Sequence, residues 1–292
     1  MLTGCGAGEG VDRTSDTQPE ARLAATSPTA KVVAVGDIAC PPGAPVTRRT
    51  CRQAATARAA AALQPERVLA LGDLQYQTGR YRAFKRSYDK SWGKLRSITW
   101  PMPGNHEYET TGARGYYRYF AAEQPGAPGW YRRELNGWQL FFLNSNCTKV
   151  DCVAERAWLA QEMAAHPSTC SLIAFHHPRF SSGEHGSNRN MRHFWQIADA
   201  HGADLALSGH DHDYERFVPM DSTGAPDPNG IQQFVSGGGG RSLYPRESSA
   251  PGSQIFLKRF GVLELDLGAG DYSWKFRTPR LRVRDSGSAT CR

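Results

Sequence analysis

Five short segments of this chain each end an apolar run on residues able to hold a cation. They read Gly36-Asp37, Gly72-Asp73-Leu74-Gln75-Tyr76, Gly104-Asn105-His106-Glu107, His176-His177-Pro178 and Gly209-His210-Asp211-His212. Glycine precedes the polar residue in four of the five, where it lets the backbone turn sharply and present the next side chain. From them Asp37, Asp73, Asn105, His176, His210 and His212 offer two carboxylates, an amide oxygen and three imidazoles. Hard oxygen donors mixed with borderline nitrogen donors suit iron, manganese or zinc better than calcium or a thiolate-seeking metal. A donor set of this size fits two ions better than one. Any one segment alone reads as a turn or a surface histidine. The ordered series, repeated at successive strand ends, carries the argument.

The elements that must position these residues follow from hydrophobic runs. Lys31–Asp37, Arg67–Asp73, Ile98–His106, Trp138–Ser145, Ser171–His177 and Asp204–His210 read as buried strands. Arg52–Leu63, Tyr81–Leu95, Ala154–His166 and Met191–His201 read as the helices between them. Such alternation predicts an α/β fold with a largely parallel sheet, whose ligands gather beyond the carboxyl ends of the strands. After His212 come strands without helices, at Gln232–Ser236, Gly261–Leu267 and Tyr272–Arg277, which predict a second, antiparallel sheet packed on the first.

Residues 31–278 resemble the calcineurin-like metallophosphoesterase superfamily. Within it they are most similar to the purple acid phosphatases, through Gly209-His210-Asp211-His212-Asp213-Tyr214-Glu215-Arg216, which fits G-H-x-H-x-Y-E-R. The resemblance implies a four-layer α/β/β/α sandwich with two metals at one edge. It implies one metal site of Asp37, Asp73, Tyr76 and His212 and another of Asp73, Asn105, His176 and His210, bridged by Asp73. The superfamily has a histidine two residues after the first Asp; this chain has Ala39 there, and Tyr76 supplies a phenolate instead. A phenolate favours Fe(III), so the expected centre pairs Fe(III) at the Tyr76 site with Fe(II), Zn or Mn at the second. Two such cations can clamp an in-line phosphoryl transfer, acidifying a shared water and neutralising the attacking and leaving oxygens. His106 and His185 stand where the family places phosphate-binding and proton-donating histidines. His177 reads as support or core, and His166, His193 and His201 as structural. Tyr214, Glu215 and Arg216 are expected to buttress the last motif and orient its imidazoles. Gly237-Gly238-Gly239-Gly240-Arg241 lacks the Lys-Ser/Thr of a phosphate-cradling loop and reads as a tight turn beside the site.

Composition fits this reading. The chain has 292 residues, 39% of them hydrophobic, enough for a sizeable core, and no apolar run of membrane-spanning length. Its net charge of +7 comes from 28 Arg against 7 Lys spread along the chain, which does not suit a specific nucleic-acid binder. A positive field drawing in anionic substrates is the alternative to a merely solvated basic surface. Seven cysteines include Cys5 in Leu2-Thr3-Gly4-Cys5, which looks like a bacterial lipobox. Residues 1–30 are therefore expected to be a lipobox remnant and flexible tether, and 31–292 a single catalytic domain. The other six cysteines could pair as Cys40 with Cys51, Cys147 with Cys152 and Cys170 with Cys291, although six allow 15 pairings and reduced cytosolic thiols are a further alternative. The expectation is an exported, lipid-anchored enzyme at the cell surface or outside the cell, acting on small phosphomonoesters without an obligate protein partner. A phosphodiesterase or nucleotidase on the same scaffold is the first rival, and a non-catalytic metal- or phosphate-binding surface lipoprotein the second.

Overall fold

From Ala30 to Ser208 strands and helices alternate as the apolar runs require. In the computed structural model, which describes residues 1–4, 6 and 29–292, these are β1 (Ala30–Val35), α1 (Gln53–Ala62), β2 (Arg67–Leu71), α2 (Tyr81–Arg86), β3 (Thr99–Met102), α3 (Arg114–Tyr119), β4 (Tyr131–Leu135), β5 (Trp138–Phe142), α4 (Cys152–Ala165), β6 (Cys170–Ala174), α5 (Arg192–Ala200) and β7 (Leu205–Ser208). Six more strands follow: β8 (Tyr214–Met220), β9 (Ile231–Ser236), β10 (Ser253–Leu257), β11 (Val262–Leu267), β12 (Asp271–Arg277) and β13 (Val283–Thr290). Cys5 and most of the expected tether lie outside the described residues.

The strands form two mixed sheets, in the orders β13-β12-β11-β1-β2-β3 and β10-β8-β9-β7-β6-β5-β4. This corrects the expectation of one largely parallel sheet and a separate antiparallel one. Strands β1, β2 and β3 run parallel in the first sheet, as β5, β6, β7 and β9 do in the second. The C-terminal strands are divided between them. Strand β11 pairs antiparallel with β1, Ala30 opposite Leu267, whereas β8 and β10 extend the second sheet beyond β9. Apolar patterning reports that a strand is buried and is silent about which sheet it joins.

Three hydrophobic clusters define four layers. Between the sheets lie Val32, Ala34, Leu69 and Leu71 from one side and Leu140, Phe142, Leu172 and Leu207 from the other. The alternate residues Val33, Val35, Val68 and Ala70 pack against α1, α2 and α3, while Phe141, Ile173 and Ala206 pack against α4 and α5. Strands buried on both faces are why these runs read as continuously apolar. The predicted helix Tyr81–Leu95 is broken after Arg86 and continues as two 3-10 stretches, Tyr88–Lys90 and Trp92–Ile98. At the break the Ser87 hydroxyl donates to the Cys40 carbonyl and the Tyr88 amide donates to Gln75 Oε1 at 3.0 Å, so tertiary partners displace the helical ones.

Disulfides join Cys40–Cys51, Cys147–Cys152 and Cys170–Cys291. Three such bonds suit an oxidising compartment. No helix among the described residues is long and apolar enough to cross a membrane.

Candidate metal centre

Both parallel stretches point their carboxyl ends at one edge of the sandwich. The loop after β1 carries Asp37, that after β2 carries Asp73 and Tyr76, and that after β3 carries Asn105 and His106. From the second sheet, the loop after β6 carries His176 and that after β7 carries His210 and His212. The structure brings these residues into two groups that share Asp73. In the first, Tyr76 Oη lies 2.9 Å from Asp37 Oδ1, 3.0 Å from Asp73 Oδ2 and 2.9 Å from His212 Nε2. In the second, His176 Nε2 lies 3.4 Å from Asp73 Oδ2, 3.1 Å from Asn105 Oδ1 and 3.3 Å from His210 Nδ1. Two of the imidazoles are aimed from behind. His176 Nδ1 donates to the Leu71 carbonyl at 2.8 Å, and His212 Nδ1 is hydrogen-bonded to Ser242 Oγ at 2.8 Å, so each turns Nε2 inward.

The glycines act differently from the sequence expectation. Of the four that precede site residues, only Gly72 has a positive φ, +83°. The left-handed residues are Asp37, Asp73 and His210 themselves, a conformation uncommon for side-chain-bearing residues and typical of functional sites. Gly104 and Gly209 are needed for space: a Cβ would fall 2.2 Å from Asp73 Oδ1 at one and 2.6 Å from Asp37 Oδ2 at the other.

Glu107 holds two of these loops together, a function the sequence reading did not assign. Its buried carboxylate accepts the amide protons of Asp73 at 2.9 Å, Leu74 at 3.0 Å, Gln75 at 3.2 Å and Gly104 at 2.8 Å. Burial, then the Asp73 charge, push its pKa up to about 8, against which the Gly104 and Gln75 amides pull it down. The available signal was an acid placed directly after Asn105-His106.

At the centre two buried carboxyl groups flank the Tyr76 oxygen. Among the described residues neither Asp37 nor Asp73 is paired with lysine or arginine. Burial opposes ionisation of Asp73, but His176 and then His106 hold its carboxyl well below the usual range. His176 is raised to about 9 despite burial, chiefly by Asp73. Burial and then Asp37 and Asp73 push the Tyr76 phenol well above its ordinary value. A phenol oxygen about 3 Å from each of two buried carboxylates, with imidazoles alongside and no lysine or arginine, is a donor set that metal ions fit. The ligand atoms of Asp37, Asp73 and His176 all lie within 4.8 Å of one another.

Around this centre His106 Nε2 stands 3.8 Å from Asp73 Oδ2, with Nδ1 held 2.7 Å from the Gln77 carbonyl. His185 stacks on His210 at 4.3 Å, and Tyr244 stacks on His212 at 3.9 Å. His177 comes closer than expected: its ring centre is 4.4 Å from that of His210, and its Nδ1 bonds Ser145 Oγ at 2.8 Å. Its ligand atom groups with those of His176 and His210. Burial, then His176, lowers it to about 3, leaving a neutral imidazole beside the centre. Ala39 lies in the core and offers no donor side chain. His166 and His201 cap the C-terminal ends of α4 and α5, and His193 lies on α5. Tyr214 and Arg216 reach across to Asp285 on β13, each at 2.7 Å, rather than to the imidazoles, because alternate residues of β8 face the inter-sheet core. The glycine turn before Arg241 has its amides engaged, Gly239 with the Gly36 carbonyl and Gly237 with that of Asp213.

Comparison with known proteins agrees with this architecture. Residues 30–214 match the family model for calcineurin-like phosphoesterases. The chain is 25% identical over 249 residues to mouse tartrate-resistant acid phosphatase type 5, covering 74% of each. It is 26% identical over 259 residues to the pig protein of that name, covering 76% of this chain and 73% of that one. Among solved structures, a purple acid phosphatase from yellow lupin seeds superposes with a TM-score of 0.72 at 18% identity. The match covers 91% of this chain and 54% of the lupin protein, so the chain spans about half that protein's length. With the family model matching well over half of its residues and the fold superposing on a solved relative, the chain belongs to the calcineurin-like phosphoesterase family.

Proposed function

We propose that the chain is a dinuclear metal-dependent phosphatase that hydrolyses phosphomonoesters. The observation that carries this is the pair of donor groups sharing Asp73 around two buried carboxylates that meet histidines and no lysine or arginine among the described residues. Asp37, Asp73, Tyr76 and His212 would hold one ion, and Asp73, Asn105, His176 and His210 the other. The Tyr76 oxygen, against two carboxylates, favours Fe(III) there, with Fe(II), Zn or Mn at the second site. Two cations in this place would supply the charge that acidifies water and offsets developing charge on phosphoryl oxygens. The protein's own residues do the rest. Glu107 fixes the loops of Asp73 and Asn105 relative to each other. His106, with Nε2 beside Asp73, would hold a phosphoryl oxygen, and His185, stacked on His210, would give a proton to the leaving oxygen.

The names of the curated relatives support a monoester substrate. A small phosphorylated compound is the partner this reading needs; it calls for no specific nucleic acid and no obligate protein partner. The disulfides support export, and Cys5 would carry a lipid anchor at the cell surface.

The test is the metal content of purified protein together with turnover of p-nitrophenyl phosphate and its bis ester. Two ions per chain and preference for the monoester are expected. Preference for the diester would move the protein to the phosphodiesterases, and bound metal without turnover would make it a binding protein. Oxidised wild type should also show a visible charge-transfer band that Tyr76→Phe removes without loss of fold. A colourless, iron-free wild type would overturn the Fe(III) assignment.

A further inference from the structure

The sequence disperses its positive charge, and the fold gathers part of it beside the metal centre. Arg48, Arg52, Lys258, Arg259 and Arg280 line one cavity of about 480 Å³, and no carboxylate shares its lining. They come from three separate segments: the Cys40–Cys51 loop and its exit, the turn between β10 and β11, and the turn between β12 and β13. Among the described residues none of the five is ion-paired. Five like charges in one concavity repel each other, a cost that an anionic ligand would relieve.

The cavity is built, and its lining adjoins residues that touch the centre. The disulfide closes the loop carrying Arg48, and the Arg49 and Thr50 amides both donate to Thr47 Oγ1 at 3.0 Å, so Arg48 is presented from a fixed turn. The Cys51 amide donates to the Arg241 carbonyl at 3.2 Å and that of Arg52 to the Gly240 carbonyl at 2.8 Å. From there one short stretch reaches the metal ligands. Arg241 places its guanidinium 5.3 Å from the centre of the Tyr76 ring, Ser242 bonds His212, Leu243 lines the cavity and Tyr244 stacks on His212. The cavity lining and the groups that touch His212 and Tyr76 are thus neighbours along residues 241–244.

We propose that this cavity binds further phosphate groups on the leaving part of the substrate, so that the preferred substrate is a small polyanionic phosphate compound rather than a simple monoester. The inference rests on the phosphatase reading above. A volume of this size holds a small polyanion, within the range of small-molecule sites. With inorganic tripolyphosphate as the probe, the oxygen of water bonds to the terminal phosphorus and the bond from that phosphorus to the bridging oxygen breaks. Diphosphate leaves with the electron pair, and a proton from the water goes to the leaving oxygen or to solvent. The products are orthophosphate and diphosphate.

The experiment compares wild type with the triple variant Arg48→Ala/Arg259→Ala/Arg280→Ala, whose side chains lie outside the metal centre. KM for tripolyphosphate should rise at least about tenfold while KM for p-nitrophenyl phosphate changes by less than about twofold. Added salt should weaken tripolyphosphate binding in wild type and much less in the variant. Equal changes for both substrates, or none for tripolyphosphate, would overturn the proposal. Calorimetric titration of tripolyphosphate into both proteins separates the two readings. Binding lost in the variant while neither protein turns over any substrate would keep the cavity and reject the phosphatase. Binding unchanged in the variant, with turnover of p-nitrophenyl phosphate intact, would do the reverse. Circular dichroism establishes that the variant is folded.

Discussion

Replacing Glu107 by glutamine tests whether one carboxylate holds the centre together. The carboxylate receives four backbone amides, two on each oxygen: Asp73 and Gly104 on Oε2, Leu74 and Gln75 on Oε1. Glutamine keeps the shape but turns one acceptor into an NH2 group, so two of these buried amides face a donor. Each buried donor left unsatisfied costs about 1–3 kcal/mol, giving a total of about 2–6 kcal/mol for Glu107→Gln. Whole domains are stable by only about 5–15 kcal/mol, so the loss should be plain in guanidinium unfolding followed by tryptophan fluorescence. Because the loops of Asp73 and Asn105 both lose an anchor, kcat and metal retention should fall along with stability. A change under about 1 kcal/mol with normal metal content would refute the reasoning, since the four amides would then be satisfied without the charge.

Asp73→Asn should lose both metals or lower turnover by more than about tenfold, read by elemental analysis and steady-state kinetics, because Asp73 is common to both donor groups. Glu155, fully buried on α4 and receiving the Asn144 amide at 2.6 Å, is pushed by burial from 4.5 to about 8. Between these values the unfolded chain binds fewer protons than the folded one, so this residue makes stability fall as pH rises across that window. At about 1.4 kcal/mol per pH unit the ceiling is roughly 5 kcal/mol. Glu155→Gln should therefore stabilise the protein at pH 8 and leave it little changed at pH 4.5, measured by denaturation midpoints; equal effects at both would count against a neutral Glu155. Loop closure makes Cys170–Cys291, at a sequence separation of 121, worth about 5 kcal/mol, and Cys147–Cys152, at a separation of 5, about 2 kcal/mol. Paired alanine substitutions compared by thermal unfolding check the order.

What the sequence made legible was local. Asp37, Asp73, Asn105, His176 and His210 could be found because each ends an apolar strand, and a strand end is written in consecutive residues. Glu107 was harder, since its meaning lies in amides more than thirty positions away, and nothing in Asn105-His106-Glu107 announces them. His177, read as support or core, lies beyond the end of β6, where the alternation that sends adjacent side chains to opposite faces no longer applies. Strand β13, with Ser286, Gly287 and Ser288 at its middle, carries almost no apolar signal and was not anticipated. Gly287 is small because the Trp274 ring occupies the space a Cβ would need. The basic cavity was equally invisible, as no window of sequence contains more than two of its five charges.

The Cys170–Cys291 bond joins the first residue of β6, in one sheet, to the residue just after β13, in the other. The proposed metal ligands also come from both sheets, but from the opposite ends of their strands. The interface between the layers is therefore pinned at one end by a covalent bond that chelators cannot touch and at the other by a donor set that thiols do not reduce. Removing ions held at the centre would leave the far side fastened by the disulfide and the layers joined through their shared core. Cleaving the disulfide would leave the other end held by any bound ions. The two treatments applied together should destabilise the protein by more than the sum of each alone, so scarcity of metal or of oxidant alone should be tolerated better than scarcity of both.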